Sequence, residues 1–213
     1  MGTRQAILEA AGPLFASRGP DGVGVREIVR KAGTSLSSVN YHFTSKENLY
    51  SACLRYVFYE KLGMGERFDL LQGGEHQTPE ELSELLYHLV YHSLVSLIGE
   101  GVPAWYSELF VRSRMERHHK TRMNLLRFEY VEKLRCHVVK RLPHLDEVHV
   151  NLWFISVLAQ IQYYVLEKDE VLKTLGLKGY TNPFLKRVAG YVSKNTESML
   201  GLPRCRLAEE TVP

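Results

Sequence analysis

The stretch VREIVRKAGTSLSSVNYHFTSKENL, Val25 to Leu49, decides how the rest of the chain is read. Two short helical patterns flank Gly33. The first runs from about Val25 to Ala32, with Val25, Ile28 and Val29 on one face. The second runs from about Leu36 to His42, with Val39 and Phe43 four apart and turned to the same core. Gly33 can take a left-handed conformation and end the first helix. Ser35 stands where the second helix needs an N-cap. Two helices joined by a tight glycine turn are the sequence form of a helix-turn-helix.

With Val39 and Phe43 inward, Leu36, Ser37, Asn40, Tyr41 and His42 are left facing out. Hydroxyls and an imidazole can hydrogen-bond phosphate oxygens. Asn40 can pair with an adenine edge, and Leu36 can touch a thymine methyl. Lys46 opens the next helix, where its charge adds to free backbone N–H groups. These chemistries together point to double-stranded DNA as the partner.

The run AGTSLSSVNYHFTSKENLY resembles the signature of the TetR family of bacterial transcriptional regulators. The matching positions are Ala32, Gly33, Ser35, Val39, Tyr41, His42, Phe43, Ser45, Lys46 and Glu47, and the likeness reaches back through Arg26, Glu27 and Ile28. The resemblance covers about residues 3 to 60. It implies DNA-facing roles for Arg26, Ser35, Leu36, Ser37, Ser38, Asn40, Tyr41, His42 and Lys46. Two positions depart from the family pattern. Gly24 stands where Ser or Thr is usual, and Thr44 where Lys is frequent, which removes two backbone contacts to DNA. Thr44-Ser-Lys-Glu47 fits a capping box for the following helix.

Length and composition set the frame. A chain of 213 residues, 45% hydrophobic and 24% charged, has the make-up of an ordinary globular protein of one large or two small domains. Helical spacing recurs throughout and alternating β-branched runs are few, so the class is all-α. Residues 1–60 carry seven Lys/Arg against five Asp/Glu, a net +2 of the chain's +3. That excess is too small to argue DNA binding by itself. Cys53, Cys136 and Cys205 are odd in number and widely spaced, without metal-ligand spacing, which suits a reducing cytoplasm. No apolar run reaches the roughly 18 residues of a membrane span, and no signal-peptide pattern opens the chain.

Around the reading head the spacing predicts about nine helices, three in a DNA-binding domain and the rest in a helical bundle. The first helix starts with Thr3 as N-cap, carries Ile7, Leu8, Ala11, Leu14 and Phe15 as its stripe, bends at Pro13 and stops at Gly19. Arg4 reads as a free surface arginine, with a phosphate as the alternative partner. A fourth helix follows over 45–62, then a glycine-rich break over residues 63–79. Thr78 caps a long helix whose Glu84, His88 and His92 share a strip; no second cluster completes a metal site, so the strip reads as polar surface. Further helices run over 104–118 and 119–142. Asp146 caps one that is apolar nearly all round, so that part of it should meet a second subunit. Asn182-Pro183 opens the last helix, with Phe184, Val188, Tyr191, Val192 and Met199 as its stripe. Residues 204–213 read as a loose tail.

The division expected from this is a DNA-binding domain over 1–48 and a ligand-binding and dimerisation domain over 49–203. Arg112, the LPHLDE turn and Ser156 to Gln160 followed by Tyr163 and Tyr164 are similar to one TetR subgroup, which usually has Glu where Ser113 stands. The family resemblance implies a homodimer through helices 146–168 and 183–200, reading a near-palindromic operator as a repressor. It also implies release by a small, partly apolar effector. Trp105, Tyr106, Phe110, Phe128, Trp153 and Phe154, with Arg112, are the candidate effector residues among helices 80–99, 104–118, 119–142 and 146–168. No cofactor or metal is expected. An enzyme fits poorly, because no nucleophile motif, phosphate loop or paired-carboxylate site stands out. A DNA-binding regulator without a small-molecule switch, controlled by a partner protein or architectural, remains the alternative.

Overall fold

The structure, a computed structural model, describes residues 2–63, 78–115 and 123–209; the side chains of residues 114–115 and 123–131 lie outside that description. The described residues are all helix and connecting turns. Among the described residues there are eleven α-helices: α1 (Thr3–Arg18), α2 (Val25–Ala32), α3 (Leu36–Phe43), α4 (Lys46–Arg55), α5 (Pro79–Ile98), α6 (Ala104–Met115), α7 (Met123–Arg141), α8 (Glu147–Leu166), α9 (Lys168–Thr174), α10 (Asn182–Leu200) and α11 (Arg206–Glu209). A π-helical turn, Tyr56–Lys61, continues α4. The count exceeds the expected nine because α9 and α11 are too short to show a helical period. The break expected over 63–79 falls mostly on residues 64–77, outside the described residues.

The chain forms two compact units, residues 1–64 with 103–127 and residues 65–102 with 128–213. In the first, α1 is the central element. Ile7, Leu8, Ala11 and Phe15 are buried along it, against Ile28, Val39, Phe43, Leu49, Tyr50 and Cys53. The Phe15 and Tyr50 rings meet edge to face at 5.3 Å. Gly19, at φ 71°, ends α1 as expected, but Gly2 rather than Thr3 is its N-cap. On its other side α1 takes α6. A Cβ on Gly12 would stand 2.3 Å from the Trp105 ring, so the glycine is what lets the indole approach. Arg112 donates from Nε to Ala16 O and from Nη2 to Ser17 O, both at 2.7 Å, and so satisfies carbonyls at the end of α1 that the helix cannot pair itself. Phe58 and Phe110 pack at 5.5 Å. The compact unit therefore takes in α4 and α6 as well as α1 to α3.

Glu9, Tyr56 and Lys61 form a polar group beside the π turn. Tyr56 donates its hydroxyl to Glu9, and Lys61 lies 3.9 Å from the same carboxylate. Burial, and then Glu9, push the Tyr56 phenol up from its ordinary value.

In the second unit α5 and α10 pack lengthwise. Thr78 caps α5 in a full capping box with Glu81, and Leu82, Leu85, Leu86, Leu89, Val90, Leu94 and Leu97 are all buried as the spacing predicts. Asp146 caps α8 by accepting from the His149 N–H at 2.7 Å. α10 starts one residue earlier than expected, because Thr181 and not Asn182 is the cap, accepting from Phe184 N–H at 3.3 Å. Along α10 the buried residues include Leu185, Val188, Ala189, Val192, Thr196 and Leu200, while Tyr191, expected in the stripe, is exposed.

The segment expected as a loose tail is docked as far as residue 209. Cys205 and Ala208 are buried. Glu197, itself buried, accepts at one oxygen from Cys205 N–H at 2.9 Å, Ser193 at 3.1 Å and Ser83 at 3.5 Å. Ser83 also donates to Pro203 O at 2.9 Å. One carboxylate thus ties α5, α10 and the C-terminal segment together.

Within one chain α8 is buried on one side only. Val150, Trp153, Phe154, Val157, Ile161 and Val165 face inward, whereas Val148, Leu152, Ile155, Tyr163 and Leu166 are uncovered. Both sets recur at helical spacing, which is why the sequence looks apolar all round.

Candidate nucleic-acid interface

The two short helices are set by their ends. α2 starts at Gly24, which supplies no side-chain cap, and stops at Gly33, held at φ 61° and ψ 36°. This left-handed residue lets Thr34 N–H reach back to Val29 O at 3.1 Å, closing the helix as a Schellman turn does. Ser35 then caps α3 by accepting from Ser38 N–H at 3.1 Å. Its oxygen also lies 2.9 Å from the Ser37 hydroxyl and 2.8 Å from that of Ser38. The three serines therefore form one hydroxyl cluster at the start of α3.

Val39 and Phe43 are buried and hold α3 against α1 and α4. The opposite face is open. Asn40 is exposed, Tyr41 is 85% exposed and Leu36 47% exposed, with Ser37 beside them and His42 half-buried. The Tyr41 and His42 rings meet edge to face at 5.1 Å. Arg26 is exposed on α2. Lys46, half-buried, is the first residue of α4.

The link from α3 to α4 differs from expectation. Ser45, not Thr44, caps α4, accepting from Asn48 N–H at 3.1 Å. Thr44 sits at φ 66° and ψ −42°, so it lacks the extended backbone an N-cap needs. Ser45 N–H reaches Phe43 O at 2.7 Å, closing a γ-turn around Thr44. A β-branched residue with positive φ is a strained feature, and it sits between the exposed helix and Lys46. Behind the head, burial pushes the Cys53 thiol far up from its ordinary range.

Residues 7–53 match the family model described as bacterial regulatory proteins, tetR family. Over that segment the chain is similar to the TetR family. Over 52 residues it is 42% identical to the HTH-type transcriptional repressor AcnR of Corynebacterium diphtheriae, a stretch that is 24% of this chain and 27% of that protein. The Corynebacterium glutamicum AcnR matches over 53 residues at 42%, 25% of this chain and 28% of that protein. The chain therefore spans about a quarter of the length of these curated relatives.

The similarity of fold runs further. A solved SmeT–triclosan complex superposes over 93% of this chain and 91% of SmeT, with a TM-score of 0.64 at 16% identity. At that identity the likeness beyond the matched segment is one of fold alone.

The residues expected to touch an effector are divided between the two units. Trp105, Tyr106, Phe110 and Arg112 belong to the first unit, where Trp105 covers Gly12 and Arg112 caps α1. Trp153 and Phe154 belong to the second unit, where Trp153 donates its indole N–H to Thr196 at 3.2 Å. The side chain of Phe128 lies outside the described residues. Among the described residues no cluster of three or more His, Cys, Asp or Glu could hold a metal ion, and no helix is long and apolar enough to cross a membrane. The His88 and His92 rings stack at 5.9 Å.

Proposed function

We propose that this chain is a ligand-responsive transcriptional repressor in the cytoplasm. It binds a near-palindromic operator as a homodimer and leaves the DNA when a small, partly apolar molecule binds. The observation that carries the DNA-reading part is the open face of α3. A short capped helix, fixed from behind by Val39 and Phe43, presents an amide, a phenol, an imidazole and an aliphatic side chain outward. In a major groove Asn40 and Leu36 read base edges, while Tyr41, His42, Lys46, Arg26 and the Ser35–Ser37–Ser38 hydroxyls meet phosphates. Residues 1–48 carry this work, and 49–203 carry effector and subunit binding.

Repression is supported by the AcnR relatives, which are repressors with a similar head. Dimerisation is supported by the uncovered row Val148, Leu152, Ile155, Tyr163 and Leu166 on α8, with Tyr191 exposed on α10. An isologous contact of these two helices with their copies makes a two-fold dimer. Such a dimer reads two half-sites whose centres lie roughly 34–36 Å apart, or a multiple. Effector release is supported by the fold shared with SmeT, which was solved with triclosan. A ligand with higher affinity for the non-binding arrangement shifts the population away from DNA. We assign the effector to the second unit, with Trp153 and Phe154 in its wall. Trp105 and Arg112 are left out of it, since they already have α1 to hold.

The test is selection of genomic fragments by the purified full-length chain, followed by footprinting. Two symmetric protected half-sites, lost when a panel of apolar compounds is added, are expected. Absence of any selected sequence contradicts the DNA-reading part. Symmetric footprints that no compound disturbs, with no compound raising the melting temperature, favour a regulator without a small-molecule switch.

A further inference from the structure

Arg4 lies before the stretch that matches the family model, in the first turn of α1. Its guanidinium carbon stands 5.6 Å from the centre of the Phe43 ring. Phe43 is the last residue of α3 and is buried, so the arginine covers the ring at the end of the helix that carries Asn40 and Tyr41. Such a cation–π contact holds a long side chain in place. It leaves the guanidinium's N–H donors available, because the ring face is not a conventional acceptor. Arg4 is exposed, and among the described residues no ion pair involves it. By contrast Arg18, at the other end of α1, is paired with Glu27.

Location gives this free cation a use. Lys46 follows Phe43 by three residues, so two positive side chains stand near the same end of α3. A helix seated in the major groove is flanked by the phosphates of both strands. Arginine suits phosphate, because its planar fork offers two parallel donors.

We infer that Arg4 is a phosphate-binding residue of the DNA-reading head, held by Phe43 against the C-terminal end of α3 to grip the backbone beside the groove that α3 occupies. This rests on the DNA-reading function proposed above. Arg4 adds affinity for every sequence and carries no base preference. Phe43 acts as its positioning residue.

The experiment uses the full-length chain and a mixed-sequence duplex several helical turns long, titrated by fluorescence anisotropy over a range of salt. Each phosphate contact contributes about 0.9 to the slope of log K against log salt. Arg4→Gln is expected to flatten the slope by about 0.9 per head, while Arg4→Lys keeps it. Between about 50 and 200 mM salt, the advantage of wild type over Arg4→Gln then shrinks by about 3.5-fold per head. The melting temperature is measured alongside. A wild-type slope retained in Arg4→Gln, or a loss of affinity that is the same at every salt concentration, overturns the inference and leaves the reading of α3 intact. Failure of the wild-type chain to bind any duplex removes the reading of α3, and this inference with it.

Discussion

Ile155→Ala tests whether the open side of α8 is a subunit contact. Ile155 keeps 61% of its surface uncovered in the single chain. Fully burying an isoleucine stabilises by about 1.5–3 kcal/mol, so covering the remaining share contributes about 1–2 kcal/mol per copy. A two-fold dimer contains the residue twice, so alanine is expected to weaken association by about 2–4 kcal/mol, or about 30- to 700-fold in the dimer constant. The chain's own stability should change little, by about 0.5 kcal/mol or less, because the side chain contributes little to its core. Sedimentation equilibrium over a concentration series gives the dimer constant, and chemical denaturation of the monomer gives the second quantity. Operator affinity should fall in parallel at concentrations where the variant dissociates. An unchanged dimer constant would refute the reasoning, since the apolar row would then be covered by something other than a second copy. A loss of chain stability as large as the loss of association would also refute it.

Three further variants probe other parts of the structure. Thr44→Gly removes the strain of a β-branched residue at φ 66°, about 1–3 kcal/mol, against an entropy cost of about 0.5–1 kcal/mol, so urea denaturation should show a gain of about 1 kcal/mol; a loss would mean the γ-turn is not strained. Glu197→Ala orphans the Cys205 N–H and the Ser193 hydroxyl, while Ser83 keeps Pro203 O, and should cost about 2 kcal/mol while opening residues 203–209 to proteases; a tail as resistant as wild type would contradict its role as the tie. The Tyr180 phenol is pushed up to about 12, mainly by burial, from an ordinary value near 10. Because the folded value is raised, the unfolded chain ionises first. Stability should hold below pH 10 and fall as pH rises from about 10 to 12, with a shallower fall in Tyr180→Phe.

How much was legible depended on how local the physics is. The inward pair Val39 and Phe43, the Gly33 stop, the Ser35 cap and the Leu-rich stripe of α5 are set by neighbours within a turn or two, and they read directly from spacing. Caps slipped by one where two capping residues adjoin. Thr44 and Ser45, or Thr181 and Asn182, are equivalent by residue type, and the backbone conformation of each link chooses between them. Long-range partners left no trace. Arg112 binds a carbonyl 96 positions away, and nothing near it in sequence announces α1 as its target. The same holds for Trp105 over Gly12 and for the C-terminal segment held by Glu197. Periodicity shows that α8 is apolar on two sides, but a period cannot tell a surface covered by the chain from one that is left open. Among the site residues, the outward set on α3 was legible because a short helix with a fixed inner pair leaves its outer face determined.

That outer face is tested most directly by measuring base preference. The affinity of the full-length chain for a randomised operator library, read position by position, is compared between wild type and Asn40→Ala. A flattened preference at one position in each half-site, with the other positions unchanged, is the result expected of a side chain that reads a base edge. A preference matrix identical to that of wild type would contradict the claim that α3 reads the duplex through Asn40.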